Sequence, residues 1–133
     1  MKAIATRSWV INASLFEVNK VCIERTMWLV EQGLVSHLFP IELLTREALN
    51  NAIIHGCNLD PERLVSCEIE CSENLLYLKV CDDGPGFHWQ HYLQNEIADE
   101  KHESGRGIQM YRIYADTIEF NPCGNQVILS RRL

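Results

Sequence analysis

Clustered positive charge is what this chain most plainly lacks. Twelve Lys and Arg stand against eighteen Asp and Glu, a formal charge of -6, and the only adjacent cations are Arg131 and Arg132. Nucleic-acid binding calls for a basic patch that neutralises phosphates, so no nucleic-acid partner is expected. No apolar run approaches the roughly 18–20 residues of a membrane span, which argues against a membrane protein. Met1 to Ser8 has two cations but no apolar core leading to a small-residue cleavage site, so no secretory signal is read. The six cysteines form no C-x-x-C pair. The expectation is therefore reduced, partly buried thiols in a cytoplasmic protein, not a disulfide framework or a zinc site. The four prolines and seven glycines gather into no linker, and no repeat is visible.

What is present is an ordinary globular composition, 47% apolar and 23% charged over 133 residues. That suits one domain, 1–133. Residues 4–11 suit a first strand. Ser14 followed by Glu17 has the form of a capping box, opening a helix on which Leu15, Val18, Val21, Cys22, Leu29 and Val30 recur at helical spacing up to Gly33. Pro40 starts a second helical segment, Ile41 to about His55, closed by Gly56. Leu64–Cys71 and Leu75–Cys81 flank a Ser-Glu-Asn turn and read as a hairpin, as do Thr117–Phe120 and Gln126–Ser130. Between the hairpins lie a polar, acidic stretch, 87–104, and a helix over Ile108 to Ala115. The order β, α, α, β, β, loop, α, β, β predicts an α+β fold, a two-layer sandwich with helices on one face of a mixed, mostly antiparallel sheet.

On the second helix, at ~100° per residue, Glu47, Asn51 and His55 fall at about 0°, 40° and 80°, one strip on the side that packs against the sheet. A carboxylate placed there is costly unless compensated. Either a satisfied core network or a pocket open to water and ligand accounts for it. The strand ending in Asp82-Asp83-Gly84-Pro85-Gly86 places an acid before two glycines, where the backbone can approach a flat ligand. Gly105-Arg106-Gly107 places two glycines before the next helix, where free N–H groups and the helix dipole favour an anion. The long stretch between them has the length of a lid.

In this order, E-x-x-x-N-x-x-x-H on a helix, strand–D-x-G-x-G, long loop and G-x-G–helix, the chain resembles the Bergerat ATP-binding fold of the GHKL superfamily. The run Glu47-Ala48-Leu49-Asn50-Asn51-Ala52-Ile53-Ile54-His55-Gly56 is most similar to the anti-sigma factor serine kinases. The length of the chain points the same way, since gyrase-type and heat-shock ATPases carry a further domain and histidine kinases a helical hairpin bearing the phosphoacceptor. The resemblance implies ATP and Mg²⁺ as cofactors. It places Asp82 on the adenine amine and Gly84 and Gly86 in the turn beside the base. Asn51 becomes the Mg²⁺ ligand, and Gly105 and Gly107 the backbone donors to the phosphates. Glu47 becomes the catalytic acid–base group at the attacking serine hydroxyl, and His55 a support. Arg106, between the glycines, is positioned to reach a terminal phosphate. The family's Gly-Thr step before its last strand is Gly124-Asn125 here, which leaves Asn125 as the adenine contact.

The function this resemblance implies is an ATP-dependent serine-protein kinase and anti-sigma factor. Its partners would be an anti-anti-sigma (STAS-domain) protein, which it phosphorylates, and a sigma factor, which it sequesters, with a homodimer as the assembly. The first helix, near Trp9 and Trp28, is a candidate surface for a second copy or a sigma factor. Two other readings stand beside it: an ATP-binding module that sequesters a partner without transferring phosphate, and a detached histidine-kinase ATP domain. His88, His91 and His102 in the lid lack the companion ligands a metal site needs.

Overall fold

The computed structural model describes residues 4–86, 90 and 103–133. The expected lid over 87–104, with His88, His91 and His102, lies outside the described residues except at Gln90 and its last two positions. Five strands, β1 (Ala5–Asn12), β2 (Leu64–Cys71), β3 (Leu75–Asp82), β4 (Thr117–Phe120) and β5 (Gln126–Arg132), form one sheet in the order β1-β2-β3-β5-β4. All four pairings are antiparallel, so the parallel component of the expected mixed sheet has no counterpart among the described residues. Short turns join β2 to β3 and β4 to β5, whereas β1 reaches β2 through α1 and α2, and β3 reaches its neighbour β5 by way of α3 and β4.

Period-two alternation sorts the strands into two faces. Val65, Cys67, Ile69 and Cys71 of β2, Leu76, Leu78 and Val80 of β3, and Val127 and Leu129 of β5 are buried. The register sets Cys67 opposite Val80 and Leu78 opposite Leu129, making this face continuous. It is covered by α1 (Leu15–Glu31), α2 (Leu38–Asn51) and α3 (Glu103–Tyr114), whose Val18, Val21, Leu29, Ile41, Leu44, Leu49 and Tyr111 join the same core. The other face carries Glu68, Glu70, Tyr77, Lys79 and Glu119. Among the described residues no helix is long and apolar enough to cross a membrane.

α1 begins at Ser14, whose Oγ accepts from the Phe16 N–H. The reciprocal half of the capping box is absent, because the Ser14 N–H donates to the Asn12 carbonyl at 2.7 Å. The helix ends in a Schellman motif: Gly33, at φ +76°, donates to Val30 O and Leu34 to Leu29 O. Its apolar residues divide between two sides. Val18, Val21, Cys22 and Leu29 are buried, whereas Leu15 and Val30, expected with them, are exposed alongside Phe16, Ile23 and Met27. In the middle of the buried side sits Arg25, fully enclosed. A buried charge is strongly destabilising unless paired. Glu42 of α2 supplies the pair and also binds Arg46, so one carboxylate holds two guanidinium groups and ties α1 to α2.

α2 starts three residues before Ile41, after a 3₁₀ turn (Val35–His37), and Pro40 occupies its first turn, where no N–H is needed. The expected continuation to His55 changes winding after Asn51. Residues Ala52–Gly56 are π-helical, with the Cys57 N–H donating to Ala52 O, five residues back, at 2.8 Å. Asn58 and Leu59 then turn the chain through positive φ.

Of the six cysteines, Cys22, Cys57, Cys67 and Cys71 are buried, Cys81 is half-buried, Cys123 is exposed, and all are free thiols. Burial, reinforced by Asp82, pushes Cys57 up to about 11, and burial pushes Cys67 up to about 12, so both are neutral packing groups.

Candidate functional site

The ends of β3 and β5 lie side by side, and the C-terminal turn of α2 crosses above them. Asp82 donates its N–H to Asn125 O at 2.9 Å, which extends the β3–β5 ladder by one rung. Asp82 follows Val80 and Asn125 precedes Val127 by two residues, so both side chains emerge on the helix-covered face. Above them stand Ala48, Asn51 and Ala52, and α3 contributes Tyr111. These residues, with Phe120, Gly124 and Gln126, line one small cavity of about 10 Å³. That is room for about one water molecule.

The strand side is held by backbone. A Cβ on Gly84 would overlap the Gly56 carbonyl, and one on Gly86, at φ +87°, would overlap the Cys123 carbonyl. The D-x-G-x-G turn thus lies against two other chain segments with no room for side chains. Asp83 anchors it to β2, accepting the Leu64 N–H at Oδ1 while its carbonyl takes Arg63 Nη1 at 2.9 Å. Asp82 Oδ1 accepts the Gly84 N–H at 2.8 Å. Burial raises the Asp82 carboxyl above the usual carboxylate range; the Gly84 bond opposes this, Asp83 adds to it, and Arg63 opposes it. A half-buried carboxylate of this kind is an acceptor that a ligand N–H can complete.

The helix side is held by side chains. Asn51, 7% exposed, donates Nδ2 to Tyr111 Oη at 3.2 Å, and Tyr111 is fully buried. The amide nitrogen faces the phenol, and Asn51 lines the cavity with Asp82 and Asn125. Glu47, one turn earlier, is half-buried and lies outside the cavity lining. His55 is exposed and also outside it. The winding changes to π over Ala52–Gly56, with Ala52 in the lining and His55 beyond it.

The glycine pair of the third motif also differs from expectation. α3, described over Glu103–Tyr114, already includes Gly105, Arg106 and Gly107 instead of starting after them at Ile108. Two glycines, each unfavourable by about 1 kcal/mol in a helix, make the late start the natural sequence reading.

The structure therefore gathers Asn51, Asp82 and Asn125 around one cavity; Gly84 and Gly86 pack against neighbouring backbone outside its lining, and Glu47 and His55 lie outside it as well. Sequence reasoning missed Tyr111, which orients Asn51, and Asn121, whose Oδ1 accepts the N–H groups of Gly124, Asn125 and Gln126. The Asn-Pro start of that turn was the available signal for Asn121. Nothing in the local pattern singled out Tyr111.

Residues 12–131 match the family described as histidine kinase-like ATPase domain. Among curated proteins the chain is 36% identical over 87 residues to an anti-sigma F factor of Geobacillus thermodenitrificans, covering 63% of this chain and 60% of that protein. It is 30% identical over 87 residues to the anti-sigma F factor of Geobacillus kaustophilus, again 63% of this chain and 60% of the relative. With an anti-sigma F factor of Clostridium perfringens the identity is 26% over 105 residues, 74% of this chain and 75% of the relative. The chain thus spans about 60% of the length of the Geobacillus relatives it matches.

Proposed function

The chain belongs to the histidine kinase-like ATPase domain family, and from that premise we propose that it is an ATP-dependent serine-protein kinase and anti-sigma factor acting on an anti-anti-sigma (STAS-domain) protein. The observation that carries the reading is the pairing of an acceptor at one end of the cavity, Asp82, with an amide at the other, Asn51. The whole chain acts as one ATP-binding unit. Asp82 accepts from the exocyclic amine of the base, with Gly84 and Gly86 letting the backbone lie flat beside it. Asn51 presents its carbonyl oxygen to Mg²⁺, which when bound neutralises the phosphates. Gly105 and Arg106 serve the phosphates from the first turn of α3. Glu47 orients or deprotonates the serine hydroxyl from the helix turn before Asn51.

A purine is far larger than the present cavity, so base binding displaces part of its wall. The locked strand ends are unsuited to that. In this reading the exposed apolar side of α1 (Phe16, Ile23, Met27) serves a homodimer and leaves the sigma factor a separate surface.

The position of Glu47 outside the lining favours a second reading, a module that binds ATP and sequesters its partner without phosphotransfer. Labelled ATP, Mg²⁺ and the cognate anti-anti-sigma protein separate the two. The kinase reading expects acid-stable phosphoserine on that protein, lost in Glu47→Ala while nucleotide binding remains. Nucleotide binding with no label transferred by wild type would leave the sequestering module, and acid-labile label would indicate phosphohistidine.

A further inference from the structure

The turn between β4 and β5 holds two asparagines whose amide orientations are linked. Asn121 Oδ1 accepts from three successive backbone N–H groups, those of Gly124 at 2.9 Å, Asn125 at 3.0 Å and Gln126 at 3.1 Å. Only an oxygen can accept all three, so the Asn121 amide has a single allowed orientation, with Nδ2 on its other side. There it donates to Asn125 Oδ1. The reverse orientation of Asn125 would set two nitrogen donors against each other. The Asn125 carbonyl oxygen is thereby engaged, and its Nδ2, which makes no hydrogen bond to another described residue, is the polar atom left for the cavity that Asn125 lines beside Asp82.

We propose that Asn121 is a positioning residue that sets the base selectivity of the site by fixing the polarity of Asn125. The proposal rests on the nucleotide reading of the cavity given above. Three backbone donors set Asn121, Asn121 sets Asn125, and the cavity then offers an acceptor, the Asp82 carboxylate, next to a donor, Asn125 Nδ2. A 6-aminopurine presents the complement, an amine N–H beside the unprotonated ring nitrogen N1. A 6-oxopurine presents a carbonyl oxygen beside a ring N–H, so both contacts are inverted and two half-buried polar groups are left facing like partners. Sites that hydrogen-bond their ligand in this way discriminate strongly, by roughly 100-fold or more. A threonine hydroxyl at position 125 rotates to donate or accept as required. An asparagine cannot, and so needs Asn121 to hold it.

The test titrates Mg·ATP and Mg·ITP, which differ at purine position 6 and the N1 proton, into the full chain and three variants: Asn121→Asp, Asn125→Thr and the double substitution. Asn121→Asp keeps an oxygen for the three backbone N–H groups and so keeps the turn, but replaces the donor facing Asn125. The Asn125 amide then turns its nitrogen toward the new carboxylate and presents its oxygen to the cavity. The expected result is a loss of ATP affinity of about tenfold and a fall of at least about tenfold in the ATP-to-ITP preference. In the Asn125→Thr background, which needs no help from position 121, adding Asn121→Asp changes that preference by less than about twofold. The proposal is overturned if Asn121→Asp weakens ATP and ITP by the same factor, or if it shifts the preference equally in both backgrounds. A wild-type chain that binds neither nucleotide overturns the ATP reading itself. A wild type that prefers ATP, with the preference intact in Asn121→Asp, overturns only the role given to Asn121.

Discussion

The two sides of the cavity are built on different principles. On the strand side, Asp82, Gly84, Gly86 and Asn125 are fixed by ladder hydrogen bonds and by backbone that passes too close for a Cβ. On the helix side, one hydrogen bond from Asn51 to Tyr111 joins α2 to α3, and the chain beyond Asn51 leaves regular α geometry for a π turn. Backbone locks tolerate no adjustment, whereas side-chain contacts between helices can be remade. A site that must recognise a constant flat base while admitting and releasing a larger ligand has reason to be rigid on one side and adjustable on the other.

The largest effects should therefore come from the strand side. Gly84→Ala or Gly86→Ala forces backbone apart, and Gly86 additionally holds a positive φ that alanine disfavours by roughly 1–2 kcal/mol. Urea unfolding of either variant is expected to show a loss of about 2 kcal/mol or more. A loss below about 0.5 kcal/mol would mean that the locks yield and the contrast is unfounded. Tyr111→Phe sits in the middle. It strips the acceptor from Asn51 Nδ2, costs about 1 kcal/mol of stability, and weakens the Mg²⁺-dependent part of nucleotide affinity more than the Mg²⁺-independent part. An equal loss in both would deny Tyr111 its orienting role. Smallest of all is His55→Ala: an exposed side chain outside the lining should change stability by less than about 0.5 kcal/mol and nucleotide affinity by less than about twofold. A larger drop would return His55 to the site.

The same contrast explains what could be read in advance. Strand periodicity, the turn residues and the Gly33 stop are local, and they gave the order of elements and the position of Asp82 within a residue. Glu47 and Asn51 were placed on the sheet-facing side of α2 because three- and four-residue spacing holds as long as the helix stays α. The shift to π winding after Asn51 moves one hydrogen-bond acceptor by one residue and leaves no mark in composition. In α3, helix propensity penalises Gly105 and Gly107, so the local pattern starts the helix after them, at Ile108, whereas the helix already includes them. Arg25 inside the apolar side of α1 depended on a partner in another helix, Glu42, which no local pattern reveals.

The central claim is that Asp82 at the end of β3 receives the amine of an adenine nucleotide, and calorimetric titration of the full chain with Mg·ATP across pH tests it most directly. The ionised carboxyl accepts at both oxygens, from Gly84 and from a ligand amine, whereas protonation turns one oxygen into a donor; burial raises its proton affinity in the folded chain. ATP affinity should therefore fall as pH drops through a range above the usual carboxylate one, with the protein still folded. Folding responds with the opposite sign, because a raised carboxyl binds more protons folded than unfolded. The destabilisation it causes is present at neutral pH, is relieved as pH falls through the raised value, and is absent in Asp82→Asn. The account predicts saturable binding that Asp82→Asn weakens by about 2 kcal/mol, roughly thirtyfold, and renders insensitive to pH in that range. No saturable binding, or binding that Asp82→Asn leaves unchanged, would contradict it.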